Sequence, residues 1–186
     1  MIIVPITAVS LVAVISTVKY INNKVFPQEI PRETTTYVDV KSVLKLQRTG
    51  QYVPKTNDPI WELKVVVDDE VIDTIPALTG RAYRQDVDRN IAGNKSPLPK
   101  GLYSILSRQA VSGPQVGELG GGYWVSIVPL FSTGRTSLGI HHDPSWGKTN
   151  GESGTSGCIG LKTPEETQKL VNLIQKYNIR QLIVES

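Results

Sequence analysis

One segment of the sequence has clear helical periodicity, and it lies near the carboxyl end. Thr163-Pro164-Glu165-Glu166 is a capping box with proline at the first helical position. Apolar side chains then recur at helical spacing, at Leu170, Val171, Ile174 and Tyr177. Most of the remaining chain consists of short apolar or alternating runs separated by polar and glycine-rich segments. This pattern predicts a mainly β, sandwich-like domain that carries one late α-helix.

Six short runs are predicted to be strands. They are residues 37–46, 61–67, 71–78, 102–106, 123–130 and 179–184. The second and third are expected to form a hairpin that turns at Asp68-Asp69-Glu70. Residues 81–95 are predicted to be a loop. Residues 112–122 end in three consecutive glycines, and they form either a plain surface loop or a flexible segment that borders a substrate cleft.

The amino-terminal residues 1–18 carry no charged side chain and are mostly Ile, Val, Ala and Leu. At about 1.5 Å per helical residue, this length is near the lower limit for crossing roughly 30 Å of hydrocarbon. We expect an anchor helix, with a cleaved signal segment or a buried strand or helix as alternatives. Lys19 and Lys24 favour a cytoplasmic position for the segment that follows, but Glu29 and Glu33 offset them, so this indication is weak and the function inferred below outweighs it. Residues 19–36 are polar and are predicted to be a tether.

Composition restricts the function further. The chain has 186 residues and 39% hydrophobic content, which suits one core and one domain, predicted over residues 37–186. Its net charge is +3, from 20 basic and 17 acidic residues. The basic residues are scattered and the aromatic ones few, so no nucleic-acid partner is expected. A single cysteine excludes an internal disulfide, and nothing in the composition fixes an oligomeric state.

Residues 139–161, GIHHDPSWGKTNGESGTSGCIGL, hold the only cysteine and both histidines of the chain: Cys158, His141 and His142. A nearby imidazole is a common means of producing a reactive thiolate. Small residues around Cys158 allow a turn whose N–H groups could bind a developing oxyanion. The segment therefore predicts a cysteine active site. A buried, inert cysteine is one alternative. A zinc site is less favoured because the paired spacing of zinc ligands is missing.

This segment resembles the signature of the L,D-transpeptidase catalytic domain, the YkuD-type family. In that family a histidine on a strand is followed by a loop and then by Ser or Thr, any residue, Gly and Cys. His141 corresponds to the strand histidine, and Thr155-Ser156-Gly157-Cys158 to the nucleophile turn. Residues 61–80 and 96–101 are similar to the opening hairpin and the Thr-Pro-x-Gly turn of the family. The resemblance thus extends from residue 60 to residue 186.

Three positions depart from the family pattern. Ser156 stands where many members carry a second histidine, and His142 stands where Gly or Ser commonly follows the catalytic histidine. Gly160 stands where members usually have Arg or Asn, a side chain that the resemblance implies helps to bind or orient substrate. Its loss therefore bears on substrate identity more than on chemistry.

A further hydrophobic strand is predicted to carry the two histidines, and the alternation of side chains along it distinguishes them. If Leu138 and Ile140 face the core, His142 lies on their face and His141 on the other, towards Cys158. His141 is therefore the predicted base, and the family alignment agrees.

The imidazole of His141 also needs a partner that fixes its tautomer. The resemblance implies that the backbone carbonyl of His142 has this role. Asp143 is a competing candidate, because a carboxylate two residues away could orient and charge the imidazole. We favour a turn position for Asp143, before Pro144.

The resemblance implies acyl transfer on peptidoglycan stem peptides through a Cys158 thioester, outside the cytoplasm and beside the membrane. His141 would be the base, and N–H groups around Gly157 the oxyanion donors. The donor would be a tetrapeptide that loses its terminal D-Ala, and an amine of another stem would complete a 3→3 cross-link. No metal or organic cofactor is expected. Four residues are assigned to substrate binding: His142, Thr155, Ser156 and Trp146.

Two alternatives remain for the function. Water could resolve the same thioester, which would make the protein an L,D-carboxypeptidase or another wall-peptide hydrolase. The fold could instead be a wall-binding module with a dead site. Gly160 favours that last reading, whereas the presence of His141, Gly157 and Cys158 together argues against it.

Overall fold

The computed structural model describes residues 42–185. The predicted anchor and tether, residues 1–18 and 19–36, lie outside this range. In chain order the strands and α-helices are β1 (Ser42–Tyr52), β2 (Pro59–Val67), β3 (Glu70–Thr79), β4 (Gly101–Ala110), α1 (Gln115–Leu119), β5 (Tyr123–Pro129), β6 (Leu138–His142), β7 (Ile159–Leu161), α2 (Pro164–Lys176) and β8 (Gln181–Val184). A short 3-10 turn at Ala82–Arg84 interrupts the segment predicted to be a loop. The described part is thus mainly β with a late helix, α2, as predicted, whereas the short helix α1 was not predicted.

The strands form one closed barrel in the order β1-β2-β3-β7-β6-β5-β4-β8. The sandwich-like prediction is corrected here, because β8 joins the two ends of the sheet. It pairs in parallel with β1, where Leu44 is opposite Leu182, and antiparallel with β4, where Tyr103 is opposite the same residue. A sheet that closes on itself has no unpaired edge, which removes the hazard of pairing with another chain.

The β2–β3 hairpin is confirmed, including its turn. Asp68 and Asp69 separate the strands and have positive φ angles of 48° and 66°. Two residues of positive φ are the requirement of the type I′ turn, whose twist matches that of the strands. The antiparallel register then places Leu63 opposite Ile75, and both side chains are buried in the barrel.

Helix α2 begins as predicted. The Thr163 hydroxyl accepts from the Glu166 N–H at 3.3 Å, and the Glu166 carboxylate accepts from the Thr163 N–H at 3.2 Å. These two bonds satisfy two backbone amides at the helix start that have no partner within the helix. The apolar face buries Leu170, Val171 and Ile174 against the core, while Tyr177 packs at its border. The helix thus covers the part of the barrel that contains β5, β6 and β7.

Strand β6 sets the geometry of the site. Its Ile140 is opposite Val125 on antiparallel β5 and opposite Ile159 on parallel β7, and all three side chains are fully buried. Side chains alternate along a strand, so the neighbouring His141 points to the other face of the sheet. Gly139 and Cys158 each precede one member of the Ile140–Ile159 pair of parallel β6 and β7. Cys158 therefore lies beside Gly139, on the same outer face as His141. The predicted alternation is confirmed.

The segment 112–122 contains α1, which ends at Gly120 with a left-handed φ of 69°. Two of its residues, Glu118 and Leu119, line a cavity of about 450 Å³, so the cleft-border interpretation is supported over the plain surface loop. Within residues 42–185, no helix combines the length and apolarity needed to span a membrane.

Candidate active site

A cavity of about 450 Å³ lies on the outer face of β6, at the edge where β7 begins. His141 and Cys158 both line it, together with Thr155 and Ser156 of the nucleophile turn. Further lining residues come from α1 and from the segment between β5 and β6. The structure thus brings the predicted base and nucleophile to one cavity although seventeen positions separate them in the chain.

His141 is held as a neutral base. Its Nδ1 lies 2.6 Å from the backbone oxygen of His142, the contact that the resemblance implies. Because a carbonyl can only accept, Nδ1 carries the proton of the neutral ring and Nε2 keeps a free lone pair. Burial lowers the pKa of His141, against the opposing effects of this hydrogen bond and of the Asp143 charge. The imidazole is therefore unprotonated at neutral pH and able to accept a proton.

Trp124 covers the imidazole, and the sequence reasoning missed it. The two rings stack with centroids 5.6 Å apart and planes inclined by 22°. Residue 139 has to be glycine for this arrangement, because a Cβ there would overlap the indole. Trp124 also lines the cavity. Only the β5–β6 register, which is not visible in the sequence, places it opposite His141.

Cys158 is half-buried, and its Sγ lies 4.0 Å from the backbone oxygen of Ser137. Burial raises the pKa of its thiol, while a hydrogen bond from the Gly139 backbone and the charge of Arg135 act in the opposite direction. Together with the lowered pKa of His141, this favours a neutral thiol–imidazole pair at rest. The thiolate would then form by proton transfer as the reaction begins.

Thr155 organises the nucleophile turn. Its hydroxyl donates to the backbone oxygen of Cys158 at 2.6 Å. It accepts from the N–H groups of Gly157 at 3.1 Å and Gly80 at 3.2 Å. A hydroxyl has one donor and two acceptor positions, so all its capacity is used inside the protein. The predicted contact of Thr155 with substrate would have to replace one of these bonds.

Asp143 fixes the loop between the histidines and the nucleophile turn. One carboxylate oxygen accepts from the N–H and hydroxyl of Ser145 at 2.9 and 2.7 Å, and the other accepts from the Gly154 N–H at 2.9 Å. Within residues 42–185 it makes no hydrogen bond to His141. The turn position that we favoured for Asp143 is therefore confirmed.

The presence of glycine at position 160 is explained by packing. A Cβ at this position would lie 2.8 Å from Cγ2 of Thr155 and 2.9 Å from Cβ of Asp143. Both contacts are closer than real Cβ atoms show. The long polar side chain that family members carry here has no space in this protein.

Arg135 is a further cavity residue that the sequence reasoning missed. Its side chain is buried, and it donates to the backbone oxygens of Arg89 at 3.1 Å and Ser156 at 2.9 Å and to the Ser96 hydroxyl at 3.2 Å. The guanidinium occupies the space beside Gly157, where a Cβ would overlap Nη2. The sequence signal was weak, since a lone arginine in a Ser/Thr/Gly segment resembles any surface charge.

Two residues assigned to substrate binding are not brought to the cavity wall. Nδ1 of His142 lies 2.6 Å from the backbone oxygen of Gly120, so its ring turns towards α1. The backbone N–H of Trp146 donates to the backbone oxygen of Asp143 at 3.1 Å, and Trp146 is not among the residues that line the cavity. Ser156 does line the cavity and is exposed.

No family model, no curated protein and no solved structure matches this chain. Among residues 42–185, no three His, Cys, Asp or Glu side chains lie close enough together to share a metal ion.

Proposed function

We propose that the protein is a cysteine acyltransferase of the L,D-transpeptidase type, acting on peptidoglycan stem peptides. The observation that carries the proposal is the pairing of two groups in one cavity. These are a cysteine thiol and an imidazole whose Nδ1 proton is fixed on the carbonyl of His142. This tautomer leaves Nε2 available as the base. The family resemblance supplies the substrate class.

In the first half-reaction, Nε2 of His141 accepts the proton of the Cys158 thiol, and Sγ attacks the carbonyl carbon that precedes the terminal D-Ala. The tetrahedral intermediate collapses as the C–N bond breaks. The imidazolium returns its proton to the leaving amine, so D-Ala departs and a thioester remains. The Gly157 N–H is bonded to Thr155, so its predicted role as an oxyanion donor requires exchange of that bond.

In the second half-reaction, the amine of another stem peptide loses a proton to His141 and attacks the thioester. A new amide forms and the Cys158 thiol is restored. A volume of about 450 Å³ fits a peptide segment, since ligand cavities typically measure about 300–1,000 Å³. The proposal requires the domain to act in the cell envelope, with residues 1–18 as its anchor.

The proposal is tested by intact-mass spectrometry of the full-length protein incubated with a disaccharide-tetrapeptide, beside Cys158→Ala. We expect an adduct with the mass of the donor minus D-Ala, absent from the variant. An added amine acceptor should then yield cross-linked product. Released D-Ala without cross-linking would identify the L,D-carboxypeptidase alternative. A folded protein that forms no adduct and releases no D-Ala would contradict the proposal and favour the dead wall-binding module.

A further inference from the structure

The guanidinium of Arg135 is a buried cation without an anionic partner in the described part of the chain. Residues 42–185 contain two ion pairs, Lys64–Glu62 and Lys169–Asp73, and neither involves it. The side chain is only 5% exposed. An ionised group withdrawn from water without a counter-ion is costly, so a buried cation on a cavity wall is well suited to an anionic ligand.

The hydrogen bonds of Arg135 leave part of its donor set available. A guanidinium has five N–H donors. Nη1 donates to the Arg89 backbone oxygen and the Ser96 hydroxyl, and Nη2 donates once, to the Ser156 backbone oxygen. All three acceptors are uncharged. Within residues 42–185, the N–H of Nε and the second N–H of Nη2 have no acceptor, and a carboxylate can receive two such donors side by side.

The position of Arg135 relative to the nucleophile indicates which carboxylate could reach it. Its Nη2 borders Gly157, the residue before Cys158, and its side chain lines the same cavity. In a peptide donor, the α-carboxylate of the leaving residue is separated from the scissile carbonyl carbon by the amide nitrogen and one Cα. A group attacked by Cys158 would thus carry its terminal carboxylate a few ångströms from the sulfur.

We propose that Arg135 is the carboxylate-binding subsite of this cavity and takes the free α-carboxylate of the donor's terminal residue. The inference rests on the proposed acyl transfer. Packing by Thr155 and Asp143 closes position 160 to any side chain, so that position cannot form the subsite, whereas Arg135 of the β5–β6 segment lines the cavity. The subsite makes the enzyme selective for peptides with a free carboxyl end.

The test compares two tetrapeptide donors that differ only at the carboxyl end, one a free acid and the other a carboxamide. The kcat/KM of thioester formation is measured for both with the full-length protein. The wild type should prefer the acid by about 10- to 100-fold, the size of one or two charge-assisted hydrogen bonds. Arg135→Gln should lose reactivity towards the acid, so that the ratio approaches one.

Arg81→Gln is the matched control, because Arg81 also lines the cavity and donates to a backbone oxygen, that of Ser153, but is only half-buried, so water still solvates its charge. This variant should keep the preference for the acid. Arg135→Lys should keep part of it, since an ammonium retains the charge and loses the forked geometry. Thermal melts confirm that each variant is folded, and iodoacetamide labelling confirms that Cys158 remains reactive.

The outcomes separate the inference from the function on which it rests. A wild type that uses the acid and the amide equally well overturns the subsite, whatever Arg135→Gln does to folding. A ratio unchanged in folded Arg135→Gln also overturns it. If neither donor reacts with a folded wild type, the acyl-transfer proposal itself fails. In that case, binding of the acid but not the amide by Cys158→Ala would still support the carboxylate subsite.

Discussion

His141 and Cys158 reach the same cavity through different kinds of support. The histidine lies within β6, where ladder hydrogen bonds to β5 and β7 fix its position and Trp124 covers its ring. The cysteine follows a turn that is held by side chains, chiefly the Thr155 hydroxyl and the Asp143 carboxylate. The base is thus positioned by backbone pairing, and the nucleophile by a polar network.

This difference has a consequence for the tolerance of each region. A strand position accepts side-chain changes as long as the pairing survives, because the ladder bonds are made by the backbone. A turn held by buried side-chain hydrogen bonds depends on each partner, since removing one leaves the other unsatisfied at a cost of about 1–3 kcal/mol. We therefore expect substitutions near Cys158 to affect stability, and substitutions around His141 to affect reactivity.

The largest expected effect separates the two neighbouring histidines. His141→Gln should slow thioester formation by about 10²- to 10⁴-fold, because the thiol loses its general base while the strand keeps its pairing. His142→Gln should retain most of the rate, since its ring faces α1 and Gly120 and does not line the cavity. Intact-mass spectrometry over time measures the rate of thioester formation in both variants. A greater loss in His142→Gln would reverse our assignment of the base.

The next largest effect concerns the turn that precedes Cys158, and Gly157→Ala tests it. Its φ of 113° is strained for alanine, and the added Cβ would overlap Arg135, whose displacement breaks three hydrogen bonds. We expect a loss of about 2–4 kcal/mol in the free energy of unfolding, measured with urea.

Gly151→Ala is the control for that loss. This glycine also has a positive φ, of 82°, but nothing lies within 4 Å of an added Cβ. It should lose only about 1 kcal/mol, the cost of the backbone conformation alone. Equal losses in the two variants would mean that the packing of Arg135 against the turn contributes nothing to stability.

The part of the structure that could be predicted is the part determined locally. The α2 cap and the Asp68-Asp69 turn depend on residues a few positions apart, and the nucleophile turn has its own composition. Closure of the barrel could not be predicted, because it depends on the pairing of β8 with β1, two strands that are separated by most of the chain. Trp124 and Arg135 were missed for the same reason. Strand register brings Trp124 to the cavity, and contacts with residues distant in sequence bring Arg135 there.

Proximity in sequence was also misleading at the site. Trp146 lies in the loop between the base and the nucleophile, and His142 follows the base directly, yet neither lines the cavity. In a strand, successive side chains point to opposite faces, so the nearest neighbour in sequence is the one directed away. The residue that stacks on His141 comes instead from the adjacent strand.

The smallest expected effect concerns Trp124, whose ring stacks on His141. Burial lowers the pKa of His141, and the Trp124 ring is part of that burial. Trp124→Ala should therefore raise the pKa of His141 towards its ordinary value of about 6.5. Because only the neutral imidazole accepts a proton, the acid limb of the rate profile should move to higher pH. The rate of thioester formation between about pH 5 and 8 measures this shift.

The pH dependence of stability provides an independent test of the lowered pKa of His141. A histidine with a lowered folded-state pKa binds its proton more readily in the unfolded chain, so the wild type should lose stability as pH falls below about 6.5. In Trp124→Ala this loss should be smaller, because the two pKa values lie closer together. Urea unfolding at pH 5.5 and pH 7.5 gives the difference for both proteins, and Tyr83→Ala serves as a control because that ring is exposed. If Trp124→Ala keeps both the acid limb and the pH dependence of the wild type, the indole does not desolvate His141. Burial by the other residues around β6 would then keep the imidazole neutral.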